Sequence, residues 1–503
     1  MLGSRSRNKR ATGAWRPASW SRWLRHLGAL VALSLIAGAP AAAATYKTVK
    51  LHNSSGFSEP RVAVDNKGHF WLESNAADNS AAVWGSTNGL RWKQTPTAPP
   101  GQTDASTDVD IVTLPSGRIV ETELDFGGIN FRTAFSDNGG KTWTLSQGTT
   151  VGDTDRPWLA ADPAPKSNKV YLLFHNLGSG AASHNMFVST STDGGATFGQ
   201  PVPVTLPPSQ AWEDLQCADS GGPSNIFVAP PGTAHAGRVY VAWNTRSSDT
   251  LEGIGTGATG GCGASATGTF EINVVGATRM WVAYSDQPSQ SGSWHDKLAL
   301  DDNKSGKLVS YQLAPGAVDS AGNVYVVYDE SLHPYPNYDG APVKYIWAGA
   351  GLRKWSKPVT VARRGGPGHV LPHIVAGSRG NLDLAYWTGR RQGKKIHWFT
   401  TIAQVFGALS RHPSIHARQI THISSDTGTA SFLMGACSQN EQTGGVQNGF
   451  ECDRSADVWG IALTPRCELT ITWPVRNNVK KSRKATYATT QTAGRRICKR
   501  RPG

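Results

Sequence analysis

The sequence is poor in charged residues and in long apolar runs. Only 17% of its 503 residues are Asp, Glu, Lys or Arg. After the first fifty residues, no stretch repeats apolar residues at the three- and four-residue spacing of an amphipathic helix, which excludes a helical bundle. The chain carries 56 Gly, 29 Pro and 18 Trp instead. This composition is typical of short strands joined by turns, so we predict an all-β protein.

Several catalytic and metal-binding motifs are also missing. The sequence has no GxSxG, no HExxH, no phosphate loop, no Rossmann fingerprint and no Cys/His cluster with zinc spacing. It therefore predicts neither a metal nor a cofactor. No apolar run in the expected mature chain reaches the length that spans a bilayer. Basic and aromatic residues are not interleaved in a patch, so a nucleic-acid partner is not expected.

The N-terminus has the pattern of an export signal. Basic residues from Arg5 to Arg25 precede an apolar core from Leu27 to Ala37, and small residues follow at 39–44. This order of basic, apolar and small residues is that of a secretory signal peptide. We expect residues 1–44 to be removed and the mature protein to be secreted and extracellular.

The net charge of +14 is unevenly distributed. Residues 1–44 contribute +7 and residues 465–503 contribute +10, which leaves −3 for the body of the chain. The basic segment 465–503 is therefore predicted to be a C-terminal extension. Outside a cell it is suited to bind an anionic cell-wall polymer, or it is a solvated tail.

Six cysteines are expected to form disulfides, because an even number in an exported chain favours pairing. Six cysteines allow about fifteen pairings. Proximity in the sequence favours three of the possible bonds, namely Cys217–Cys262, Cys437–Cys452 and Cys467–Cys498.

Two kinds of strand alternate along the chain. The first is apolar with a charged or polar start, at Glu59–Asp65, Asp108–Val112, Asp155–Asp162, Pro223–Val228, Tyr311–Val318, Leu371–Ala376 and Ser431–Ala436. The second ends in polar residues, at His69–Glu73, Arg118–Glu123, Val170–Asn176, Val239–Asn244, Val324–Glu330, Leu382–Trp387 and, as a candidate seventh copy, Asp457–Leu463. Turns rich in Asp, Asn and Gly join the two kinds, which predicts hairpins. The early copies are spaced like four-stranded propeller blades.

A third segment follows in the early repeats. Ser191–Phe198 reads STDGGATF, and Ser136–Trp143 and Ser86–Trp92 are variants of the same pattern. The pattern resembles the Asp-box of the secreted sialidase-like (BNR repeat) propeller family. The resemblance implies a β-propeller of six blades, or seven, over residues 45–464, with a short C-terminal β and basic extension at 465–503. In that family these boxes are folding elements between the outer strands of a blade.

Propeller topology also predicts where chemistry belongs. The first strand of each blade starts, and the second ends, at the same mouth of the central channel, so polar residues there converge. The expected ligand-binding residues are Glu123, Asp125, His175, Asn244, Asp329 and His373. The segment Asp155-Arg156-Pro157-Trp158 resembles an element of exported Asp-box proteins, in which Arg156 either holds a ligand carboxylate or pairs with Asp155 or a neighbouring blade.

The sialidase resemblance also implies roles for the catalytic candidates. Arg156, Arg246 and Arg390 are expected, from their position in the repeat, to hold the sugar carboxylate. Carboxylates around the channel would do the acid–base work, and Asp155 is a catalytic candidate. Either Tyr386 or Tyr328, with either Glu330 or Glu123, is the candidate nucleophile pair. The first hypothesis is a secreted sialidase-like glycoside hydrolase that acts on an extracellular glycan or glycoconjugate. The alternatives are a non-catalytic propeller that binds glycan or protein at the cell surface, and a lyase or hydrolase of another polysaccharide.

Overall fold

The structure is a computed structural model. It describes residues 42–56, 59–78, 80–100, 105–125, 131–148, 154–176, 185–215, 223–245, 247, 277–309, 313–331, 340–428, 459–475 and 484–498. Strands dominate these residues, and the only α-helix in them is the short α1, Gln210–Leu215. None of the helices found in this part of the chain has the length and apolarity to cross a membrane.

The strands form antiparallel sheets that follow one another along the chain. The first strand, β1 (Thr45–Lys50), precedes all of them. Blade 1 consists of β2 (Arg61–Val64), β3 (Phe70–Asn75), β4 (Ala81–Ser86) and β5 (Lys93–Gln94). Blade 2 consists of β6 (Ala105–Thr113), β7 (Ile119–Asp125), β8 (Phe131–Ser136) and β9 (Thr144–Leu145). Blade 3 consists of β10 (Thr154–Ala161), β11 (Val170–Asn176), β12 (Met186–Ser191) and β13 (Val202–Pro203).

The remaining blades follow the same order. Blade 4 consists of β14 (Pro223–Val228), β15 (Val239–Thr245), β16 (Arg279–Ser285) and β17 (His295–Asp301). Blade 5 consists of β18 (Leu308–Val309), β19 (Gly316–Val318), β20 (Val324–Ser331), β21 (Val343–Ala348) and β22 (Val359–Ala362). Blade 6 consists of β23 (His369–Ala376), β24 (Asn381–Gln392), β25 (Lys395–Phe406), β26 (Ser414–Gln419) and β27 (Asp426–Gly428). Blade 7 consists of β28 (Gly460–Leu463), β29 (Leu469–Val475), β30 (Ala485–Ala493) and β1.

These sheets form a closed seven-bladed β-propeller. The innermost strands β2, β6, β10, β14, β19, β23 and β28 contact one another in that order, and β28 contacts β2 to close the ring. A separate cluster of buried apolar side chains fills each of the seven interfaces between neighbouring blades. The predicted all-β propeller is confirmed, with seven blades.

Blade 7 joins the two ends of the chain. The N-terminal strand β1 pairs antiparallel with β30, with Tyr46 opposite Gln491 and Thr48 opposite Thr489. The segment Asp457–Leu463, a candidate second strand by sequence, contributes the innermost strand β28 instead. The segment after residue 465, which the sequence set apart as an extension, supplies the two middle strands of this blade. The basic C-terminal segment is thus partly built into the propeller.

One of the three proposed disulfides lies within the described residues, and it is present. Cys467 in the β28–β29 turn is bonded to Cys498 near the C-terminus. The candidate bonds Cys217–Cys262 and Cys437–Cys452, and the candidate strand Ser431–Ala436, lie outside the described residues.

The Asp-box-like segments form turns between the third and fourth strands of blades 1, 2 and 3. In blade 3, Asp193 accepts hydrogen bonds from the backbone N–H of Thr197 (2.9 Å) and from its hydroxyl (2.6 Å). The hydroxyl of Ser191 accepts from the N–H of Gly195 (2.8 Å), where φ is +82°. Side-chain oxygens replace strand partners here, and glycine adopts the left-handed backbone at little cost. These turns are structural, as predicted.

Neighbouring blades are also joined by hydrogen bonds at the starts of their innermost strands. Trp158 Nε1 donates to the carbonyl of Pro223 (2.8 Å), and Trp459 Nε1 donates to that of Leu371 (3.1 Å). Asp110 Oδ2 accepts from the N–H of Leu159 (2.8 Å). Each bond pairs a backbone group that the strand ladder leaves unpaired. The channel wall at this end is therefore held rigidly.

Candidate functional site

The candidate site lies where the innermost strands begin. In each antiparallel sheet the second strand also ends at this edge. Between blades 1 and 2, Glu59 and Asp108 form an isolated parallel β-bridge just before and within the innermost strands. The innermost strands therefore start on one face of the ring, which we call the upper mouth. Thr245 at the end of β15 and Arg279 at the start of β16 lie at this edge, so the connection between these two strands starts and ends here. Function in such scaffolds is concentrated where long connections converge.

A β-bulge shapes the upper mouth in blade 3. Thr154 and Asp155 pair with Asn176 and His175, and the register then shifts before Trp158 pairs with Leu173. Within the bulge Arg156 has φ of +51°, which is unusual for a residue other than glycine. Such a backbone costs on the order of 1–2 kcal/mol. Strain of this kind often accompanies a functional position.

Blade 6 repeats this local geometry. Leu371, also followed by proline, has φ of +51°, and the register between β23 and β24 shifts between Val370 and His373. The N–H of Leu371 donates to Asp329 Oδ2 (2.9 Å), which ties the bulge to blade 5. In blade 3 the corresponding N–H, that of Arg156, donates to Asp155 Oδ1 (2.8 Å). Blades 3 and 6 therefore share a bulge with a positive φ before proline, and of these two blades it is blade 3 that has Asp155 and Arg156 there.

Asp155, Arg156 and His175 form an electrostatically coupled group at this mouth. Asp155 Oδ2 lies 3.5 Å from His175 Nε2. Burial acts to raise the pKa of Asp155, but hydrogen bonding to His175, the charges of His175 and Arg156, and the backbone N–H of Arg156 outweigh it and hold the pKa below its ordinary value. The group is buried: Arg156 is 4% and His175 is 8% exposed. Asp155 is therefore a carboxylate that orients an imidazole beside a guanidinium.

Arg61 lies further along the channel wall and is already paired. Its guanidinium binds Asp110 bidentately, at 3.0 Å from Nε to Oδ1 and 3.3 Å from Nη2 to Oδ2. It also stacks over the Trp158 ring at 4.8 Å. This arginine joins blades 1, 2 and 3 rather than presenting an open anion site.

His373 is a neutral wall residue. Desolvation, followed by the nearby charge of Arg61, lowers its pKa to about 3. Its Nδ1 lies 3.3 Å from the carbonyl oxygen of Leu371, and its ring packs edge-on against Trp459 with centroids 5.7 Å apart. A buried neutral imidazole of this kind is suited to shape the channel and not to carry charge.

The other predicted residues have structural partners. Glu330 forms an ion pair with Lys344 (2.6 Å). Tyr386 is buried in the apolar cluster between blades 5 and 6 and packs edge-on against His369, with centroids 5.4 Å apart. The structure thus gives the two predicted residues different partners: Tyr386 packs between blades 5 and 6, and Glu330 is paired with Lys344 in blade 5.

The remaining candidates are spread over the ring. Glu123 is fully buried and bound to Arg132 (2.6 Å). Asn244 is 2% exposed, and its Oδ1 has no hydrogen-bond partner among the described residues. Arg390 is exposed on the β24–β25 hairpin, opposite His397. Arg246 and the side chain of Asp125 lie outside the described residues. The structure thus brings together Asp155, Arg156 and His175, and no arginine triad is seen in the part it describes.

One cluster was missed by the sequence analysis. Glu73, Glu121 and Glu123 meet between blades 1 and 2, with carboxylate oxygens within 4.8 Å of one another. Arg132 binds Glu121 and Glu123, each at 2.6 Å. Desolvation, followed by the charges of Glu121 and Glu123, raises the pKa of Glu73 well above its ordinary value. Arg132 already supplies the cation, so the cluster is best described as an internal ion network in which burial and the neighbouring carboxylates disfavour the charged form of Glu73.

Replacing Glu73 by Gln is therefore expected to stabilise the protein at neutral pH. Because the folded-state pKa of Glu73 is raised, the stability that this group contributes is fully present below the unfolded pKa of about 4.3 and is lost as pH rises towards the folded pKa. Gln keeps the shape and donates a hydrogen bond without this penalty. We expect a gain of about 1–3 kcal/mol in unfolding free energy at pH 7–8, shrinking towards pH 4.

Chemical denaturation of both proteins across this pH range measures the effect. Glu121→Gln is the matched control, because it removes a carboxylate that binds Arg132 and should destabilise the protein. A Glu73→Gln variant that is less stable than wild type at pH 8 contradicts a raised pKa of Glu73.

Comparison with known proteins supports the fold but does not assign the chain to a family. No protein-family model matches the chain, and no curated protein matches it. Its structure is similar to that of a polysaccharide lyase, an ulvan lyase, with 11% identity over 89% of this chain and 96% of the other, at a TM-score of 0.53. The same kind of lyase bound to -[GlcA(1-4)Rha3S]- matches with 11% identity over 89% and 96%, at a TM-score of 0.52.

The structure is also similar, more weakly, to that of an α-L-arabinofuranosidase from Fusarium graminearum. It has 10% identity over 88% of this chain and 96% of the other, at a TM-score of 0.44. At such identities the likeness extends to the propeller fold alone.

Proposed function

We propose that this chain is a secreted carbohydrate-active enzyme that cleaves an acidic extracellular polysaccharide at the upper mouth. The observation that carries the proposal is the Asp155–His175 pair, 3.5 Å apart, beside Arg156 in the strained bulge of blade 3. A carboxylate, an imidazole and a guanidinium in one buried group are what is needed to bind a uronic acid and move a proton.

The reaction that these groups suit best is β-elimination. Arg156 pairs with the carboxylate of a uronic acid, which makes the proton on the neighbouring carbon, C5, more acidic. His175, oriented by Asp155, takes that proton. The electron pair forms the C4–C5 double bond and the C4–O glycosidic bond breaks. The protonated His175 then gives its proton to the departing oxygen, so the elimination consumes no water molecule.

Two features support an acidic substrate. Arg156 is buried, at 4% exposed, and desolvation strengthens the pairing of a guanidinium with a carboxylate. In addition, a structure that shares the fold is a lyase bound to a saccharide that contains glucuronic acid. We propose the same chemical class, a uronate-containing polymer, for this chain.

The second candidate is a sialidase-type glycoside hydrolase, favoured by the Asp-box-like turns of blades 1 to 3. It requires several arginines on one carboxylate and a tyrosine beside a glutamate. In the described part of the chain Arg61 is bound to Asp110 and Glu330 to Lys344, so neither is placed as this chemistry requires. The elimination chemistry needs fewer groups and is preferred.

The test is an activity screen of the mature chain from residue 45. Polysaccharides rich in uronic acid are followed by ultraviolet absorbance of the unsaturated product and by reducing ends, and a sialoside panel is followed by released fluorophore. We expect both absorbance and reducing ends to rise on a uronate polymer. Sialoside turnover alone supports the second candidate, and tight glycan binding without any cleavage supports a non-catalytic propeller.

A further inference from the structure

The opposite end of the channel opens into a separate cavity, which we call the lower mouth. The cavity has a volume of about 1840 Å³ and lies where the innermost strands end. Turns of blades 3 to 7 line it, together with the C-terminal segment 492–498. Because the Asp155–His175 pair lies at the starts of those strands, the lower mouth is distinct from the candidate catalytic site.

The C-terminal segment is fixed firmly against this opening. The carbonyl of Ile497 accepts hydrogen bonds from the N–H of Ser378 (3.1 Å) and from Asn381 Nδ2 (2.9 Å). The carbonyl of Arg495 accepts from Gln491 Nε2 (2.7 Å). The Cys467–Cys498 disulfide joins the same segment to the β28–β29 turn. The wall of the lower mouth is therefore preorganised, which reduces the entropy lost when a ligand binds.

The arginines of the lower mouth face solvent. Arg466 lines the cavity and is exposed, and it has no ion pair with any residue that the structure describes. Arg379 is exposed in the turn that follows the lining residue Ser378, and it too has no ion pair in the described part. Arg496 also lines the cavity and keeps further donors beside its ion pair with Glu468.

The carboxylates of the same turns bind other groups of the protein. Asp319 accepts from the hydroxyl of Tyr325 (2.7 Å) and from the N–H of Gly380 (2.9 Å). Asp162 accepts from the hydroxyl of Ser167 (2.8 Å), and Glu468 binds Arg496. Asp319 and Asp162 are buried, whereas Arg379 and Arg466 are exposed, so these arginines are the charges that the turns present to solvent around the cavity.

We infer that the lower mouth is a non-catalytic binding site for an anionic polysaccharide chain. Guanidinium groups bind carboxylates and sulfates bidentately, and several arginines around one opening suit a polymer with repeated anionic groups better than a single small ion. A second site on the opposite face keeps the enzyme on the polymer while the upper mouth samples cleavage points, because linked sites raise the local concentration. The inference takes its ligand class from the proposed function.

The test measures binding separately from cleavage. His175→Gln protein is titrated calorimetrically with polygalacturonate, with neutral dextran and with inorganic polyphosphate. The double variant Arg379→Gln/Arg466→Gln in the same background should bind polygalacturonate about tenfold more weakly, since two charge-assisted contacts are lost. Dextran should not bind, and polyphosphate should bind more weakly than polygalacturonate.

The matched control is Arg353→Gln/Lys354→Gln, which removes two exposed charges from a blade 5 turn that does not line the cavity. It should leave binding within twofold of the parent. The proposed polysaccharide site is contradicted if both double variants weaken binding equally. It is also contradicted if polyphosphate binds as tightly as polygalacturonate. With His175 intact, the Arg379→Gln/Arg466→Gln protein should cleave short oligosaccharides at the wild-type rate. The titration and the cleavage assay thereby distinguish a failure of the lower-mouth binding site from a failure of the proposed catalytic function.

Discussion

Replacing His175 by Gln should lower kcat on a uronate polysaccharide by about 10²–10⁴-fold, the usual contribution of a positioned general base. Gln fills a similar volume and keeps a hydrogen-bond donor for Asp155, but it cannot accept the substrate proton. The propeller should remain folded, because His175 lies at the end of β11 and the apolar interfaces between blades are untouched. Single-turnover rates with saturating polymer measure the loss.

His69→Gln is the matched control for this substitution. His69 forms a comparable pair with Asp65, 3.0 Å from Nδ1 to Oδ2, in the blade 1 turn at the other end of the strands. Its loss should leave kcat within twofold of wild type. A His175→Gln protein that retains wild-type kcat contradicts the role of His175 as the base.

Removing the Cys467–Cys498 bond should have the largest effect on stability. The bond spans 31 residues that hold β29 and β30, the middle strands of the blade that closes the ring. The loop-closure model gives about 3–4 kcal/mol for a loop of this size. The double variant Cys467→Ser/Cys498→Ser should therefore unfold at clearly lower denaturant concentration, measured by tryptophan fluorescence.

A pair of surface substitutions in another blade, Arg353→Ser/Lys354→Ser, provides the comparison. These residues are exposed in blade 5, so unfolding should shift by less than about 1 kcal/mol. A double cysteine variant that is as stable as wild type contradicts a closing role for this disulfide.

Much of the propeller could be predicted because its strands and turns are encoded locally. The bounds predicted for Pro223–Val228 and Val170–Asn176 are those of β14 and β11. Blade 7 was harder, since its first turn contains Thr464 to Cys467 without Gly, Asp or Asn. That turn depends on Cys467, whose φ of +56° is not signalled by its residue type.

The site was predictable only in part, because partners across the ring are not encoded locally. Strand alternation could have shown that Tyr386 shares a face with Leu382 and Leu384 and is therefore buried. The pairing of Glu330 with Lys344 depends on the register of two strands. The meeting of Glu73 with Glu121 depends on the packing of separate blades, which no local pattern specifies.

The most direct test of the central claim compares one uronate polymer before and after its carboxyl groups are reduced to alcohols. The backbone and linkages are unchanged, and only the group that Arg156 is proposed to bind, and that acidifies the C5 proton, is removed. The account predicts that kcat/KM of the wild-type protein falls by at least about 10²-fold on the reduced polymer, as the loss of a buried charge pair and of carbanion stabilisation requires. Equal cleavage of the intact and reduced polymers would contradict it.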